Sequence, residues 1–139
     1  MKRFQACYLG DIQAKERPKF NRKTGVAYTP RKTNVFESTL RMIAQKEVEE
    51  QRSTPIDTAC AVTIIVHKTI PQSWSKKKQL EYSLRPYPVT VKPDVDNCAK
   101  SVLDALNGVF YTDDRLVSEL SVKKVYSENS FVTVECVEL

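Results

Sequence analysis

The run from Thr58 to Lys68 constrains this chain most. Val62, Thr63, Ile64, Ile65 and Val66 follow one another with apolar groups pointing to both faces. β-branched residues suit a pleated surface, and a strand apolar on both faces needs cover on both. The run therefore predicts a central strand, and the rest of the chain has to supply its neighbours. Phe4 to Leu9 predicts a first strand, with Phe4, Ala6 and Tyr8 alternating against Gln5, Cys7 and Leu9 before Gly10-Asp11 breaks it. Arg115 to Tyr126 and Ser130 to Val137 predict two more, with Ser127-Glu128-Asn129 in the turn between them. Val132, Val134 and Cys136 share one face, with Leu120 and Val122 packing near them.

Helical periodicity fills the gaps between these strands. Thr33 to Gln51 predicts an amphipathic helix with Val35, Phe36, Leu40, Ile43, Ala44 and Val48 as its stripe. Asn34 with Glu37 reads as a capping-box pair, and Ser53-Thr54-Pro55 ends the helix. The stripe reads as core or as a dimer contact. A second main helix begins near Asp94 to Asp96 and ends at Asn107-Gly108, where glycine suits the left-handed C′ position. Cys98, Ala99, Val102, Leu103 and Leu106 form its apolar arc. Val89 to Val91 leads into it as a short β-like run. Between strand and second helix, Pro71 to Pro88 is a long connection carrying a short helix over Lys76 to Tyr82, capped by Ser73 or Ser75. The order predicts one domain over residues 1–139, α/β of the α+β type. It has a mixed sheet of about four to five strands and two main helices largely on one side.

Charge separates along the chain. The net charge is +5 over 139 residues. Residues 1–32 carry +7 and residues 71–92 carry +4, whereas residues 93–139 carry −5. Basic segments beside an acidic centre suit a polyanion whose phosphates are gripped by lysine and arginine. The basic candidates are Lys15, Arg17, Lys19, Arg22 and Lys23, interleaved with Phe20 and Tyr28, and the Lys76-Lys77-Lys78 arm beside Trp74. Rings among cations are a DNA-contact mixture, and equally the ordinary packing under a loop. Hydrophobic residues make up 41%, which argues against disorder. No run is apolar enough to span a membrane and the N-terminus lacks a signal-peptide core, so a soluble cytoplasmic protein is expected. Four cysteines without a Cys-x-x-Cys pair, and one histidine, argue against zinc. Cys60, Cys98 and Cys136 fall in apolar patterns and predict buried thiols. His67 ends the central strand and reads as a polar terminus rather than a base.

The acidic centre is dense. Lys92 to Asp114 holds five aspartates in 23 residues: Asp94, Asp96, Asp104, Asp113 and Asp114. In extended backbone, side chains two apart point the same way, so Asp94 and Asp96 can reach one ion. Carboxylates without a histidine or cysteine set suit a hard cation, Mg²⁺ or Mn²⁺, that keeps waters and accepts phosphate oxygens. Lys100, one turn beyond Asp96, can stabilise charge on a scissile phosphate. Each residue also has an ordinary role. Asp96 can cap, Asp94 can face the helix dipole, Lys100 can pair with Asp96 or Asp104, and Asp113-Asp114 can be a polar turn.

Lys92-Pro-Asp-Val-Asp-Asn97, then Lys100, then Asp104-Ala-Leu-Asn-Gly108, then Asp113-Asp-Arg-Leu-Val117 resembles the RusA family of Holliday-junction resolvases. Arg17-Pro18, Tyr28-Thr29-Pro30 and Pro71 to Lys78 extend the resemblance. It implies a Mg²⁺-dependent endodeoxyribonuclease, a homodimer, that resolves four-way DNA junctions in recombination and repair by paired symmetric nicks, in a bacterial or phage-infected cell. It implies Asp94, Asp96 and Asp114 as metal ligands, with Asp113 as rival for the third. It implies Lys100 as the group acting on the phosphate or leaving oxygen, and Lys15 and Arg17 as phosphate contacts. Asn97 then supports the ligands or caps the helix, and Asp104 is structural. Two other readings stand beside it: a junction-binding protein without catalysis, and an Asp-x-Asp enzyme acting on a nucleotide. Chain length, the missing nucleotide-binding βαβ pattern and the basic arms disfavour the second.

Overall fold

A computed structural model describes residues 1–15, 19–28 and 30–139. The sheet is mixed, as expected, with four strands: β1 (Arg3–Leu9), β4 (Cys60–Thr69), β5 (Val117–Ser127) and β6 (Phe131–Glu138). A separate two-stranded ribbon joins β2 (Lys19–Phe20) to β3 (Ala27–Tyr28). The helices are α1 (Arg31–Glu50), α2 (Lys76–Leu84) and α3 (Val95–Leu106).

The sheet order is β1-β6-β4-β5. β4 is central, antiparallel to β6 and parallel to β5. The parallel pair requires a long crossover, and α2 with α3 provides it. β5 and β6 follow each other in sequence but do not pair, because β4 lies between them. Leu120 consequently sits on the outer strand and stays exposed, a departure from the expected packing against Val132, Val134 and Cys136.

Only one sheet face carries the main core. Phe4, Val62, Ile64, Val132, Val134 and Cys136 point into it and meet Phe36, Leu40 and Ala44 of α1 and Cys98, Val102 and Leu106 of α3. Phe4 stacks on Phe110 at 5.2 Å, and Tyr8 meets Phe36 edge-on at 4.7 Å. Gln5, Cys7 and Thr63 face away from this core and are exposed. Cys60, Cys98 and Cys136 are buried free thiols, as their apolar surroundings predict.

α1 begins before the expected start. Pro30 occupies the N-cap position, and its carbonyl accepts from the Asn34 amide at 3.2 Å. The Asn34–Glu37 pair therefore lies inside the helix and is no capping box. Val35 is exposed while Thr33 is buried, which rotates the stripe slightly from the expected one. Val89 to Val91 is irregular rather than strand-like. Ser75, not Ser73, caps α2, its hydroxyl accepting from the Lys78 amide at 3.2 Å.

Helix α3 matters most, because it carries the acidic centre. Its start follows Pro93, and its end is tied off with unusual completeness. An α-helix leaves its last four carbonyls without helical partners. Tyr111 donates its hydroxyl to Leu103 O at 2.8 Å. Arg41 of α1 donates to Ala105 O at 3.3 Å and Asn107 O at 2.7 Å. The Val109 and Phe110 amides reach Leu106 O at 3.0 and 3.1 Å. Gly108 takes φ +82°, the left-handed geometry expected of the residue after the helix. Among the described residues no helix is long and apolar enough to cross a membrane.

Candidate active site

Asp94 is the N-cap residue of α3, with extended backbone (φ −71°, ψ 145°), yet its side chain makes no capping hydrogen bond. Asp96 lies in the first helical turn, where a carboxylate meets the positive end of the helix dipole. Both are exposed. Among the described residues neither carboxylate takes part in a salt bridge. They line one cleft of about 720 Å³ together with Lys15, Lys68, Lys92 and Asn97, with Ile12 to Ala14 as a wall. That wall is tied to α3 twice: the Lys15 amide donates to Asn97 O at 3.1 Å, and the buried Ser101 hydroxyl donates to Gln13 O at 2.8 Å.

The Asp113-Asp114 pair divides its work. Asp113 caps the 3-10 turn Asp114–Leu116 by accepting the Arg115 amide at 3.0 Å. That bond holds its carboxyl below the usual carboxylate range. Asp114 is pushed the other way, by desolvation first and then by a hydrogen bond and like charge from Asp113 and the charge of Asp104, against which Lys100 acts. Asp114 therefore lies near enough to Lys100 and Asp104 of α3 to feel their charges, while Asp113 is occupied as a cap. Lys100 stands one turn from Asp96 and is exposed; among the described residues it forms no salt bridge, so the expected pairing with Asp96 or Asp104 is not made.

Among the described residues no three His, Cys, Asp or Glu side chains converge as a metal-holding group. The structure brings Asp94 and Asp96 to one cleft; Asp114, in the 3-10 turn Asp114–Leu116, does not line it but lies within reach of the charge of Lys100 on α3. The donor set still fits a hard divalent cation. Mg²⁺ is ordinarily bound by one or two carboxylates and retained waters, with substrate phosphate completing the shell.

Lys15 occupies a different position from a free phosphate contact. Its ammonium lies 2.8 Å from Glu37 of α1 and 3.2 Å from Asp104 of α3, with its side chain 19% exposed. Asp104 is thereby structural, as expected. Arg17 lies outside the described residues. Lys76, Lys77 and Lys78 are exposed on the first turn of α2. Trp74 packs against Tyr82 and Tyr126 at 5.0 and 5.4 Å, with Lys78 Nζ 4.0 Å above its ring, so it anchors the arm to β5. Phe20 and Tyr28 are 66% and 49% exposed on the ribbon, not packed beneath it. His67 stacks on Phe131 at 3.8 Å, and burial lowers its pKa.

Sequence reasoning missed Lys68 and Lys124. Lys124 Nζ donates to Val91 O at 2.7 Å and Pro93 O at 2.9 Å, and Lys68 Nζ to Lys92 O at 2.9 Å. The signal was their phase. Lys68 continues the inward row Val62, Ile64, Val66, and Lys124 pairs with Val66 in the adjacent strand. A lysine in step with core residues has a reason to be there. Their charges, with those of Asp94 and Asp96, all act on the Cys98 thiol, which burial pushes up to about 11.

A small α+β protein with a carboxylate-bearing helix start, an adjoining lysine set and a basic arm has the build of a nuclease, its basic residues complementing DNA phosphates. The comparison with known families agrees. Residues 10–136 match the family "Endodeoxyribonuclease RusA", and the chain belongs to that family. Its substrate class is accordingly DNA. The chain is also similar to "Uncharacterized protein YqaN" of Bacillus subtilis (strain 168), 36% identical over 129 residues that cover 90% of this chain and 89% of that protein.

Proposed function

We propose that the whole chain, residues 1–139, is a Mg²⁺-dependent endodeoxyribonuclease domain that resolves four-way DNA junctions in recombination and repair by paired nicks. What carries the reading is Asp94 and Asp96: two exposed carboxylates in one cleft, unspent on capping or salt bridges, beside lysines. In this reading they hold Mg²⁺, for which Mn²⁺ can substitute, and Asp114 supplies the third carboxylate. When bound, the ion makes water nucleophilic near neutral pH and offsets charge on the phosphate. In this reading Lys100, one turn beyond Asp96, donates to the scissile phosphate or the departing oxygen. Asn97, at the cleft edge, orients the carboxylates or the phosphate. Lys76, Lys77 and Lys78 grip the backbone of a junction arm. Two symmetric cuts need two sites related by a two-fold axis, so the working form is a homodimer.

The test uses a synthetic four-way junction and a matched linear duplex, with and without Mg²⁺, beside Asp96→Asn. Paired nicks in the junction alone are expected, requiring metal and lost in the variant, while the variant still binds the junction in EDTA. Tight junction binding without nicks in Mg²⁺ or Mn²⁺ would reduce the protein to a binding module. Equal cutting of the linear duplex would refute junction selectivity.

A further inference from the structure

The segment that delivers Asp94 has little backbone bonding of its own. Residues 85–94, between α2 and α3, belong to no strand or helix. One end is tied by the Tyr126 amide, which donates to Pro86 O at 2.8 Å. At the other end three successive carbonyls, those of Val91, Lys92 and Pro93, are all taken by lysine ammonium groups at 2.7 to 2.9 Å. Asp94 follows directly. Hydrogen bonds from a charged donor are roughly twice as strong as neutral ones. They are also the hydrogen bonds that run from the sheet to residues 91–93, directly ahead of α3.

The two lysines come from the adjacent parallel strands β4 and β5, in a register that pairs Val66 with Lys124 and Lys68 with Tyr126. Both are half-buried, and among the described residues neither forms a salt bridge with a carboxylate. Their donors are aimed at backbone, not at Asp94 or Asp96. Lys68 also lines the cleft, but its ammonium, like that of Lys124, donates to the backbone of the loop. Both ammonium groups are spent on fixing that loop.

We propose that Lys68 and Lys124 are positioning residues for the Asp94–Asp96 pair, acting through the carbonyls of residues 91–93. This rests on reading Asp94 and Asp96 as metal ligands. Partners that orient metal ligands from behind are typically worth 10–100-fold in metal affinity or activity. Lys124, with two bonds, is expected to contribute more than Lys68, with one.

The experiment compares wild type with Lys124→Met, Lys68→Met, Lys124→Arg and Asp96→Asn in the full chain. Three quantities are read: Mn²⁺ affinity by calorimetry without DNA, hydrogen exchange of the Cys98 amide in metal-free protein, and junction affinity in EDTA. The Cys98 amide donates to Asp94 O at 3.0 Å, so its protection reports how firmly the helix start is held. For Lys124→Met the expectation is 10–100-fold weaker Mn²⁺ binding, about tenfold faster Cys98 exchange and unchanged junction affinity. Lys124→Arg, which keeps a charged donor, is expected to recover most of both losses. If Lys124→Met fails to fold, Lys68→Met carries the same readouts at the lower end of the range. Unchanged Mn²⁺ affinity and Cys98 exchange in the Met variants would overturn the proposal. A loss of junction affinity with both unchanged would make the lysines phosphate contacts instead, which also overturns it. Failure of wild type to bind Mn²⁺, or equal binding by Asp96→Asn, would refute the metal-ligand reading separately, and Cys98 exchange would still show whether the lysines hold the loop.

Discussion

Replacing Lys15 by methionine separates two roles that the chain's basic N-terminal segment leaves confounded. The ammonium sits between Glu37 and Asp104, at 2.8 and 3.2 Å, and so links α1 to α3. Lys15 and Glu37 are each 19% exposed and Asp104 is 34% exposed, so the group is mostly but not wholly withdrawn from water. Removing one partner of a buried pair costs about 3–5 kcal/mol, and an exposed pair is worth about 0–1. The intermediate burial places Lys15→Met near 2 kcal/mol. A domain of this length has an unfolding entropy of about 0.3 kcal/mol/K, so Tm should fall by about 7 °C. Calorimetric unfolding at pH 7 of wild type, Lys15→Met, Glu37→Gln and the double variant measures the loss and the Lys15–Glu37 coupling. The sign with pH is also set. Burial lowers the Lys15 pKa, but the bonds and charges of Glu37 and Asp104 outweigh it and the net shift is upward. The stabilisation is therefore complete below the unfolded value of about 10.5 and fades only as pH rises above it. An unchanged Tm together with weakened junction binding in EDTA would refute this argument and return Lys15 to phosphate contact.

Tyr111→Phe should cost about 1–2 kcal/mol, because it strips the half-buried Leu103 carbonyl at the end of α3 of its donor; thermal unfolding checks it. Replacing Lys76, Lys77 and Lys78 by glutamine should weaken junction binding and flatten its salt dependence by about two to three in log–log slope, measured by fluorescence anisotropy in EDTA. Burial depresses the His67 pKa, so the unfolded chain binds the extra proton and stability falls as pH drops below about 6.5. His67→Gln should flatten that decline in melts taken between about pH 5 and 7.5.

The sequence by itself determined what depends on near neighbours. The central place of β4 follows from five consecutive β-branched residues, although the fold covers only the face that carries Val62, Ile64 and Val66 and leaves Thr63 exposed on the other. The limits of α3 follow from Pro93 at one end and Gly108 at the other, since ring closure fixes φ at proline and the missing Cβ lets glycine take the positive φ that ends a helix. The placing of Asp94 and Asp96 at the start of α3 was legible for the same reason, although the segment before it is irregular and not the expected strand. Even the start of α1 was missed only through a local competition, Pro30 serving as the cap in place of Asn34.

Tertiary structure alone decided which partner each charge meets. Lys15 lies 22 residues from Glu37, and Lys124 lies 31 residues from Pro93. No periodicity links such positions. The insertion of β4 between β5 and β6 belongs to the same class, because strand neighbours are chosen by shared burial over the whole sheet and not by the turn that joins them. An ammonium group is long, flexible and satisfied by any well-placed oxygen. Whether it grips DNA, bridges two helices or holds a loop is settled only when the fold places that oxygen in reach.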